Sequence, residues 1–458
     1  MIVRNLRAVL TGATALSAIG LGAVTVLAQE AAPPAAAAPA PTLEDQFRDP
    51  PNSARPRVWW HWMNGNITKD GIAKDMAWMK RVGIGGLQNF DANLMTPQIV
   101  KDRLVYMTPA WKDAFRFTAS EADRLGLELA IAASPGWSET GGPWVKPEDG
   151  LKKLVWSETE VAGGKPFSGK LAPPPAVTGP FQSLPKQSGP GEMMQGIERK
   201  VPGADFYGDV AVLAYPISGR PAPLATAHDG AGKPLDVSLL SDADITAGVT
   251  LTQQKDGPAP SIVLEYARPR TVQAASVFVK GAAMMFFGAL YTARLEASDD
   301  GKAWRTVSDV PLGQVPSTFA FAPVTARQFR IAFTPVKSAG INLGQPAPGI
   351  AMDIGAGFAG LGSQPLKVND FRLFDAPRID RFETKAGFEL TQDYYTLGTS
   401  APDSAGVAPA AVIDLTSRLK PDGTLDWTPP KGNWRVLRLG YSLLGTTNHP
   451  APAEATGL

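Results

Sequence analysis

The stretch Arg57-Val-Trp-Trp-His-Trp-Met-Asn-Gly-Asn66 decides the fold of the amino-terminal region. It begins as a short apolar run, ends in a histidine and two asparagines, and is followed at once by a helix pattern. This order is typical of a β-strand that carries polar groups at its carboxyl end. The same order returns in residues 83–91 and 126–139. The region therefore predicts three strands that alternate with helices.

The first predicted helix lies between the first two strands. Thr68 is a suitable amino-terminal cap, and Gly83 stands where a carboxyl-terminal cap belongs. Between these caps, apolar side chains recur at helical spacing and predict one buried face. These side chains are Ile72, Met76, Met79 and Val82.

The second predicted helix starts at Thr108-Pro109, an amino-terminal cap followed by proline at the first helical position, and ends at Gly126. Strands that alternate with helices at this spacing predict a parallel sheet. A TIM barrel and an open doubly wound sheet both fit this pattern. No Gly-x-Gly-x-x-Gly opens the first helix, which weakens a dinucleotide-binding fold. We expect residues 43–150 to form the first βα units of a (β/α)8 TIM-type barrel.

After residue 151 the helical periodicity stops, and short alternating runs separated by turn residues follow. This pattern predicts an antiparallel β-sandwich insert over residues 151–385. A predicted hairpin at 292–306, with Trp304, resembles discoidin-like jelly-roll modules, which often bind carbohydrate. A purely structural insert is the alternative.

Residues 386–458 show one more β pattern, and we expect this segment to lead back to the barrel. Three βα strands cannot close an eight-stranded barrel. The sequence is therefore expected to be a truncated, amino-terminal portion of a longer protein. A complete protein that is not a barrel is the alternative.

The amino terminus predicts export. Arg4 and Arg7 precede an apolar run over residues 10–27, and Ala28 ends a small-x-small cleavage site. Residues 1–28 are thus a predicted signal peptide, and the Pro/Ala-rich residues 29–42 a predicted linker. A periplasmic or secreted location follows, with an uncleaved membrane anchor as the alternative.

Composition excludes several classes of function. The net charge of +1 gives no electrostatic basis for binding nucleic acid, or for binding a membrane once the signal peptide is removed. The sequence has no cysteine, which excludes disulfides, thiolate catalysis and cysteine metal sites. No cluster of His, Asp or Glu residues has the spacing of metal ligands, and His228 and His449 are isolated in the sequence. No motif predicts an organic cofactor.

The candidate substrate-binding residues lie at or just past the carboxyl ends of the three strands, which converge on one face in a barrel. For His61 the alternative is a structural, hydrogen-bonded histidine, and for Asp91 it is a loop cap. Trp137 is a candidate stacking platform. The full set is His61, Asn64, Asp91, Trp137 and Glu139.

The tryptophans of the first strand should alternate between its two faces. We expect Trp60 to point away from Trp59 and Trp62, and at least one of the three to belong to the core.

Several blocks of the chain, in order, resemble glycoside hydrolase family 106, the α-L-rhamnosidases. They cover most of residues 43–160 and 410–458. The blocks are Arg55-Pro56, Trp59-Trp-His-Trp-Met-Asn-Gly-Asn66, Gly83-Ile-Gly-Gly86, Phe90-Asp91, Glu121-Ala-Asp-Arg-Leu-Gly-Leu-Glu128, Gly136-Trp-Ser138, Gly141-Gly-Pro-Trp144, Gly432-Asn-Trp434 and Thr447-Asn448.

The resemblance implies a multidomain, exported bacterial enzyme with a TIM barrel and β-sandwich modules. It implies removal of terminal L-rhamnose from a glycan or glycoside by an inverting mechanism with two carboxyl groups, and calcium associated with the site. The matched blocks carry none of the family's catalytic glutamates, so we expect the catalytic residues beyond residue 458 and an inactive isolated chain. The alternative is a non-catalytic carbohydrate-binding protein.

Overall fold

The computed structural model describes a defined part of the chain. The described ranges are 41–93, 96–138, 141–186, 206–217, 225–242, 244–252, 259–284, 288–336, 365–389, 391, 394–398 and 406–458. The predicted signal peptide and most of the predicted linker lie outside the described residues, as does Glu139.

The chain divides into two compact units, residues 1–55 and 56–458. In the first unit, helix α1 spans Leu43–Arg48 and buries none of its residues. The hydroxyl of Thr42 accepts a hydrogen bond from the Asp45 backbone N–H, and the Asp45 carboxylate accepts one from the Thr42 backbone N–H. This reciprocal capping box satisfies two donors that the short helix leaves without partners.

Within its described residues, the second unit contains helices α2, α3 and α4 and 19 strands. The helices are α2 (Lys69–Arg81), α3 (Pro109–Leu125) and α4 (Phe382–Lys385). The strands are β1 (Arg57–Met63), β2 (Gly86–Ala92), β3 (Glu128–Ile131), β4 (Lys152–Ala162), β5 (Phe167–Lys170), β6 (Tyr207–Ile217), β7 (Ala225–Asp229), β8 (Pro234–Leu235), β9 (Val249–Leu251), β10 (Ser261–Val279), β11 (Ala283–Met284), β12 (Gly288–Ala289), β13 (Tyr291–Ser298), β14 (Arg305–Val310), β15 (Ser317–Pro335), β16 (Leu366–Phe374), β17 (Ile413–Asp414), β18 (Thr424–Trp427) and β19 (Asn433–Leu443).

Strands β1, β2 and β3 form a parallel sheet in that order, with α2 and α3 as the connections between them. The predicted caps are confirmed: the Thr68 hydroxyl accepts from the Gly71 N–H at 3.0 Å, and the Thr108 hydroxyl accepts from the Trp111 N–H at 3.4 Å. Gly126 ends α3 at φ 62°, in the left-handed region that glycine adopts easily. The strand–helix alternation is thus observed, and closure into a barrel stays a prediction.

One face of the parallel sheet packs against the helices. Trp60 and Trp62 are buried there, with 5.7 Å between their ring centroids, whereas Trp59 lies on the other face and is 64% exposed. The expectation that Trp60 points away from both other tryptophans was wrong. Side chains alternate with a period of two residues along a strand, so positions 60 and 62 share a face.

Two antiparallel sheets contain strands from distant parts of the chain. A four-stranded sheet has the order β17-β6-β19-β4, and β5 pairs with β18. Strand β19 pairs with β4 over residues 152–162 and with β6 over 207–217. These pairings join residues on both sides of the predicted boundary between 385 and 386, because a strand late in the chain completes a sheet begun early.

The largest sheet has eight antiparallel strands, in the order β14-β13-β15-β10-β16-β9, with β7 and β8 added beside β10. Its central strands β10 and β15 have 19 residues each and shift register twice along their pairing. Ile262, Leu295 and Phe329 are completely buried in its core. The predicted antiparallel character is confirmed, and the jelly-roll arrangement stays a prediction.

Among the helices of the described residues, none combines the length and the apolar character that a membrane crossing requires.

Candidate functional site

Four aromatic side chains come together beside β1, β2 and the segment after β3. The His61 ring stacks on Phe90 with 5.4 Å between centroids, and Trp59 meets His61 edge-on at 6.0 Å. The Trp137 indole Nε1–H donates to His61 Nε2 at 2.9 Å. Trp59 and Trp137 are 64% and 45% exposed. We call Trp59, His61, Phe90 and Trp137 the aromatic surface; it offers apolar ring area to a ligand.

The hydrogen bond to Trp137 defines the protonation state of His61. An imidazole nitrogen that accepts a hydrogen bond carries no proton, so the proton of the neutral ring is on Nδ1. Partial burial lowers the pKa of His61 and also favours the neutral ring. His61 therefore acts as an acceptor that orients Trp137.

Asp91 lies on the opposite face of the sheet, beneath α3. Its carboxyl is almost completely buried, and one of its oxygens accepts a hydrogen bond from the Trp111 indole Nε1–H at 2.9 Å. Burial raises the pKa of Asp91 to about 7, and the bond from Trp111 partly opposes this increase. Near neutral pH the carboxyl is therefore distributed between its protonated and ionised forms.

A narrow cleft adjoins Asp91, and we call it the Asp91 cleft. Burial, and then the charge of Asp91, raises the pKa of Tyr106 to about 12, which keeps its hydroxyl protonated. The cleft thus combines a titrating carboxyl with a phenol donor. Its lining residues are Asn89, Asp91, Tyr106, Ile131, Ala132, Ser134 and Pro135.

Asn64 follows β1 with φ 50°, in the left-handed region that asparagine tolerates better than most residues. Its side-chain amide donates to the Thr96 carbonyl at 2.8 Å and accepts from Arg103 at 3.1 Å. Arg103 also forms an ion pair with Glu454. The amide of Asn64 is therefore engaged in holding the following loop.

Residues 444–458 return to the segment that carries Trp137. The Trp137 backbone N–H donates to the His449 carbonyl at 2.9 Å, and the His449 N–H donates to the Ser138 hydroxyl at 2.7 Å. Gly136 has φ 87°, and a Cβ built there would lie 2.7 Å from the backbone carbon of His449. The two segments therefore pack backbone against backbone.

Asn448 fixes this arrangement and is almost completely buried. Its amide nitrogen donates to the carbonyls of Pro135 and Ala455 at 3.1 and 3.0 Å. Its amide oxygen accepts from the Gly457 N–H at 2.8 Å. One side chain thus connects the Trp137 segment to the carboxyl end of the returning segment.

The structure brings two of the predicted site residues into direct contact, His61 and Trp137. Asp91 lies on the other face, although its backbone carbonyl accepts from the Gly136 N–H at 2.6 Å and so meets the same segment. Asn64 contacts a different loop, and Glu139 lies outside the described residues. Within the described ranges, no group of three or more His, Cys, Asp or Glu side chains is arranged to hold a metal ion.

Sequence reasoning expected residues 386–458 to lead back to the barrel, but it named neither Trp111, Tyr106 nor Asn448 as a site residue, and it set His449 apart. The motif Thr447-Asn448, one of the blocks that resemble a known family, was the signal that could have directed attention there. Its contacts with Pro135 span 313 residues of sequence, a separation that local patterns do not bridge.

Comparison with known proteins identifies a family. The alpha-L-rhamnosidase model of glycoside hydrolase family 106 matches residues 48–458. The structure of rhamnosidase from Novosphingobium sp. PP1Y is 55% identical, with a TM-score of 0.75, over 92% of this chain and 36% of that chain. A putative beta-glucuronidase of Formosa agariphila is 40% identical over 174 residues, which are 38% of this chain and 12% of that protein.

The chain therefore spans about a third of the Novosphingobium rhamnosidase and about an eighth of the Formosa protein. The family match extends over most of the sequence, from just before β1 to the returning segment at the aromatic surface. The chain belongs to glycoside hydrolase family 106, the alpha-L-rhamnosidases.

Proposed function

We propose that this chain is part of an exported glycoside hydrolase that removes terminal L-rhamnose from a glycan or glycoside. The observation that carries the proposal is the family match over residues 48–458. The rhamnosidase from Novosphingobium, at 55% identity, supports the same substrate class. The apolar run that precedes Ala28 supports export to the periplasm or the medium.

The proposed reaction is hydrolysis with inversion. One carboxylic acid protonates the leaving oxygen and a second carboxylate activates water on the opposite side of the sugar, with about 6.5–9.5 Å between the two groups. We assign neither role to a described residue of this chain. The proposed TIM-type barrel would bring further strand ends, and with them the two carboxyl groups, to the face where β1, β2 and β3 end.

The aromatic surface is the proposed contact for the sugar ring. L-Rhamnose is a 6-deoxy sugar, so it presents a methyl group and C–H faces that pack favourably on aromatic rings. Trp59 and Trp137 offer exposed indoles for this contact, and the bond to His61 holds the Trp137 ring in one orientation. Asp91 stays a proposed binding carboxylate; its burial means that it would act from the side of the cleft.

Calcium stays a proposal drawn from the family resemblance. Within the described residues, no group of three or more His, Cys, Asp or Glu side chains is arranged to hold a metal ion. No step of the proposed reaction is assigned to it.

Sugar binding tests the aromatic surface. The purified chain should bind L-rhamnose in a titration followed by tryptophan fluorescence, and Trp137→Ala should weaken binding by about tenfold, as truncation of a buried aromatic contact commonly does. Trp78→Ala is the matched control, because Trp78 is half-exposed on α2 and belongs to no part of the aromatic surface. If both variants lost the same amount of affinity for L-rhamnose, the aromatic surface would not be the sugar-binding site.

Hydrolysis tests the enzyme itself. The isolated 458-residue chain should not hydrolyse an aryl α-L-rhamnoside, whereas a longer polypeptide that contains this chain and further βα units should. Hydrolysis by the isolated chain at ordinary glycosidase rates would show that the two catalytic carboxyl groups lie within these 458 residues. Binding without turnover in the longer polypeptide would favour the non-catalytic carbohydrate-binding protein instead.

A further inference from the structure

The indole of Trp137 is held in place by His61. Its Nε1–H donates to His61 Nε2 at 2.9 Å, and the two rings meet edge-on with 5.7 Å between their centroids. Among the described residues, these are the hydrogen bond and the ring contact that the indole makes. Because Trp137 is 45% exposed, the ring has room to rotate into solvent once the bond is lost. The orientation of the indole therefore depends on this one bond.

Protonation of His61 removes the acceptor of that bond. A neutral imidazole keeps a lone pair on one nitrogen, whereas an imidazolium carries a proton on both nitrogens and accepts no hydrogen bond. Two N–H groups would then point at each other across 2.9 Å. The N–H edge is the electropositive part of the indole, so a positive charge on His61 repels it. The observed arrangement thus requires neutral His61.

The ionisable side chains of the sheet lie away from the His61 ring. Arg57 and Glu128 share its face of the sheet, but they form an ion pair where β1 and β3 begin. Arg57 is four residues from His61, roughly 13 Å along the strand. Asp91 lies on the opposite face. Partial burial is the cause that lowers the pKa of His61 from its ordinary value of 6.5, so the ring is neutral at pH 7 and becomes protonated in mild acid.

The loops beside the aromatic surface bring further ionisable groups. On the returning segment, His449 binds Trp137 through its backbone carbonyl, and Glu454 forms an ion pair with Arg103. Glu139, two residues after Trp137 in the sequence, lies outside the described residues. Of the described groups, His61 is the one whose side chain bonds the indole, and so its charge acts on Trp137 directly.

We propose that His61 is a pH-sensitive positioning residue: its neutral imidazole holds Trp137 in the orientation that receives the sugar, and its protonation releases the indole. The choice of a sugar as the ligand rests on the proposed function, whereas the coupling between the two rings does not. The aromatic surface is therefore complete near neutral pH and incomplete in mildly acidic solution.

An NMR titration of the full chain between pH 4 and 8 tests the coupling without any sugar. The chain has 11 tryptophans, and the spectrum of Trp137→Phe identifies the Trp137 indole N–H among them. We expect this resonance to move with the same midpoint as the His61 ring. In His61→Gln the step should disappear, because the side-chain amide oxygen of glutamine is an acceptor that does not titrate. A Trp137 resonance that stays constant while His61 titrates would overturn the proposal.

L-Rhamnose titrations at pH 4.5 and pH 7.5, followed by tryptophan fluorescence, test the consequence for binding. The native affinity should be about three- to tenfold weaker at pH 4.5, as the loss of one hydrogen bond commonly produces. His61→Gln should bind equally at both pH values. The matched controls Asp91→Asn, Glu139→Gln and His449→Ala each remove another titrating group and should keep the acid-side loss. If one of these controls abolished the loss, that group and not His61 would be the switch.

Binding is linked to protonation in both directions. Since neutral His61 favours the bound form, L-rhamnose should in turn lower the pKa of His61, and Trp137→Phe should abolish this effect. Native protein that binds L-rhamnose equally at both pH values, although His61 titrates between them, would overturn the proposal. If the native protein binds no L-rhamnose at either pH but the Trp137 indole follows His61, the proposed function of the aromatic surface is refuted and the coupling is confirmed.

Discussion

The parallel sheet and the eight-stranded antiparallel sheet bury their side chains in different ways. In the antiparallel sheet, Phe329, Ile331 and Phe333 alternate along β15 and are completely buried. In the parallel sheet, β2 buries Asn89 and Asp91, and β1 leaves Trp59 largely exposed. Polar groups placed in a core and aromatic rings left in solvent both cost stability. The antiparallel sheet also buries polar side chains, among them Asn369 and Asp370 of β16, so what distinguishes the parallel sheet is its exposed aromatic ring area.

Phe329→Ala should produce the largest loss of stability. Truncating a completely buried phenylalanine removes its transfer free energy and leaves a cavity, which costs about 3–5 kcal/mol. Trp59→Ala removes a larger side chain that is mostly exposed, and it should cost less than about 1 kcal/mol. Urea unfolding of both variants measures the free energies. Equal losses would mean that the parallel sheet depends on its exposed aromatics as strongly as the antiparallel sheet depends on its core.

Asn448→Ala should have the next largest effect, because it removes three hydrogen bonds made by a buried amide. The backbone groups left without partners should lower the free energy of unfolding by about 2–4 kcal/mol. The emission of Trp137 should also shift, since the indole would lose its fixed position.

Asn433→Ala at the exposed start of β19 is the matched control and should change neither quantity. An unchanged Trp137 signal in a destabilised Asn448→Ala would show that Asn448 supports the fold without positioning the indole.

Asp91→Asn should make stability less dependent on pH. Burial raises the folded-state pKa of Asp91 to about 7, from its ordinary value of 3.8. The stability associated with this group is therefore fully present below pH 3.8 and is lost as the pH rises through 7. Asparagine keeps an acceptor for Trp111 and has no charge to bury. The variant should match the native protein near pH 4 and be more stable by about 1–4 kcal/mol at pH 8.

Thermal unfolding of both proteins between pH 4 and 8 measures this difference. Asp75→Asn is the matched control, because the Asp75 carboxylate also accepts from an indole, that of Trp60 at 3.0 Å, but belongs to an exposed residue. The Asp75→Asn substitution should change the stability little, both at pH 4 and at pH 8. An Asp91→Asn variant that is less stable than the native protein at pH 8 would show that the ionised carboxylate has a partner of its own.

Trp137→Phe should have the smallest effect on stability, within about 0.5 kcal/mol, because the side chain is nearly half-exposed. The variant keeps an aromatic ring but removes the donor to His61 Nε2. Since that bond favours the neutral imidazole, the pKa of His61 should rise towards its ordinary value. An NMR titration of the three histidines measures it. Trp144→Phe, which changes an exposed indole that stacks on Tyr106, should leave His61 unchanged.

Local signals in the sequence predicted the parallel region well. Thr68, Thr108 and Gly126 cap their helices as expected, because a cap depends on a few neighbouring residues. The orientation of Trp60 was predicted wrongly, although the period of two residues along a strand contained the answer. The role of Asp91 was left open between sugar binding and a loop cap, since burial beneath Trp111 depends on a helix that starts 18 residues later.

The sequence by itself determined the strand–helix alternation, the antiparallel character of the β-rich region and the family, because these follow from periodicity, caps and ordered motifs. Only the tertiary structure decided which groups meet. The bond from Trp137 to His61 joins residues 76 positions apart, and the contacts of Asn448 with Pro135 join residues 313 apart. Such contacts depend on the paths of whole segments through space, which no local pattern specifies. The site at this surface is therefore a property of the folded chain.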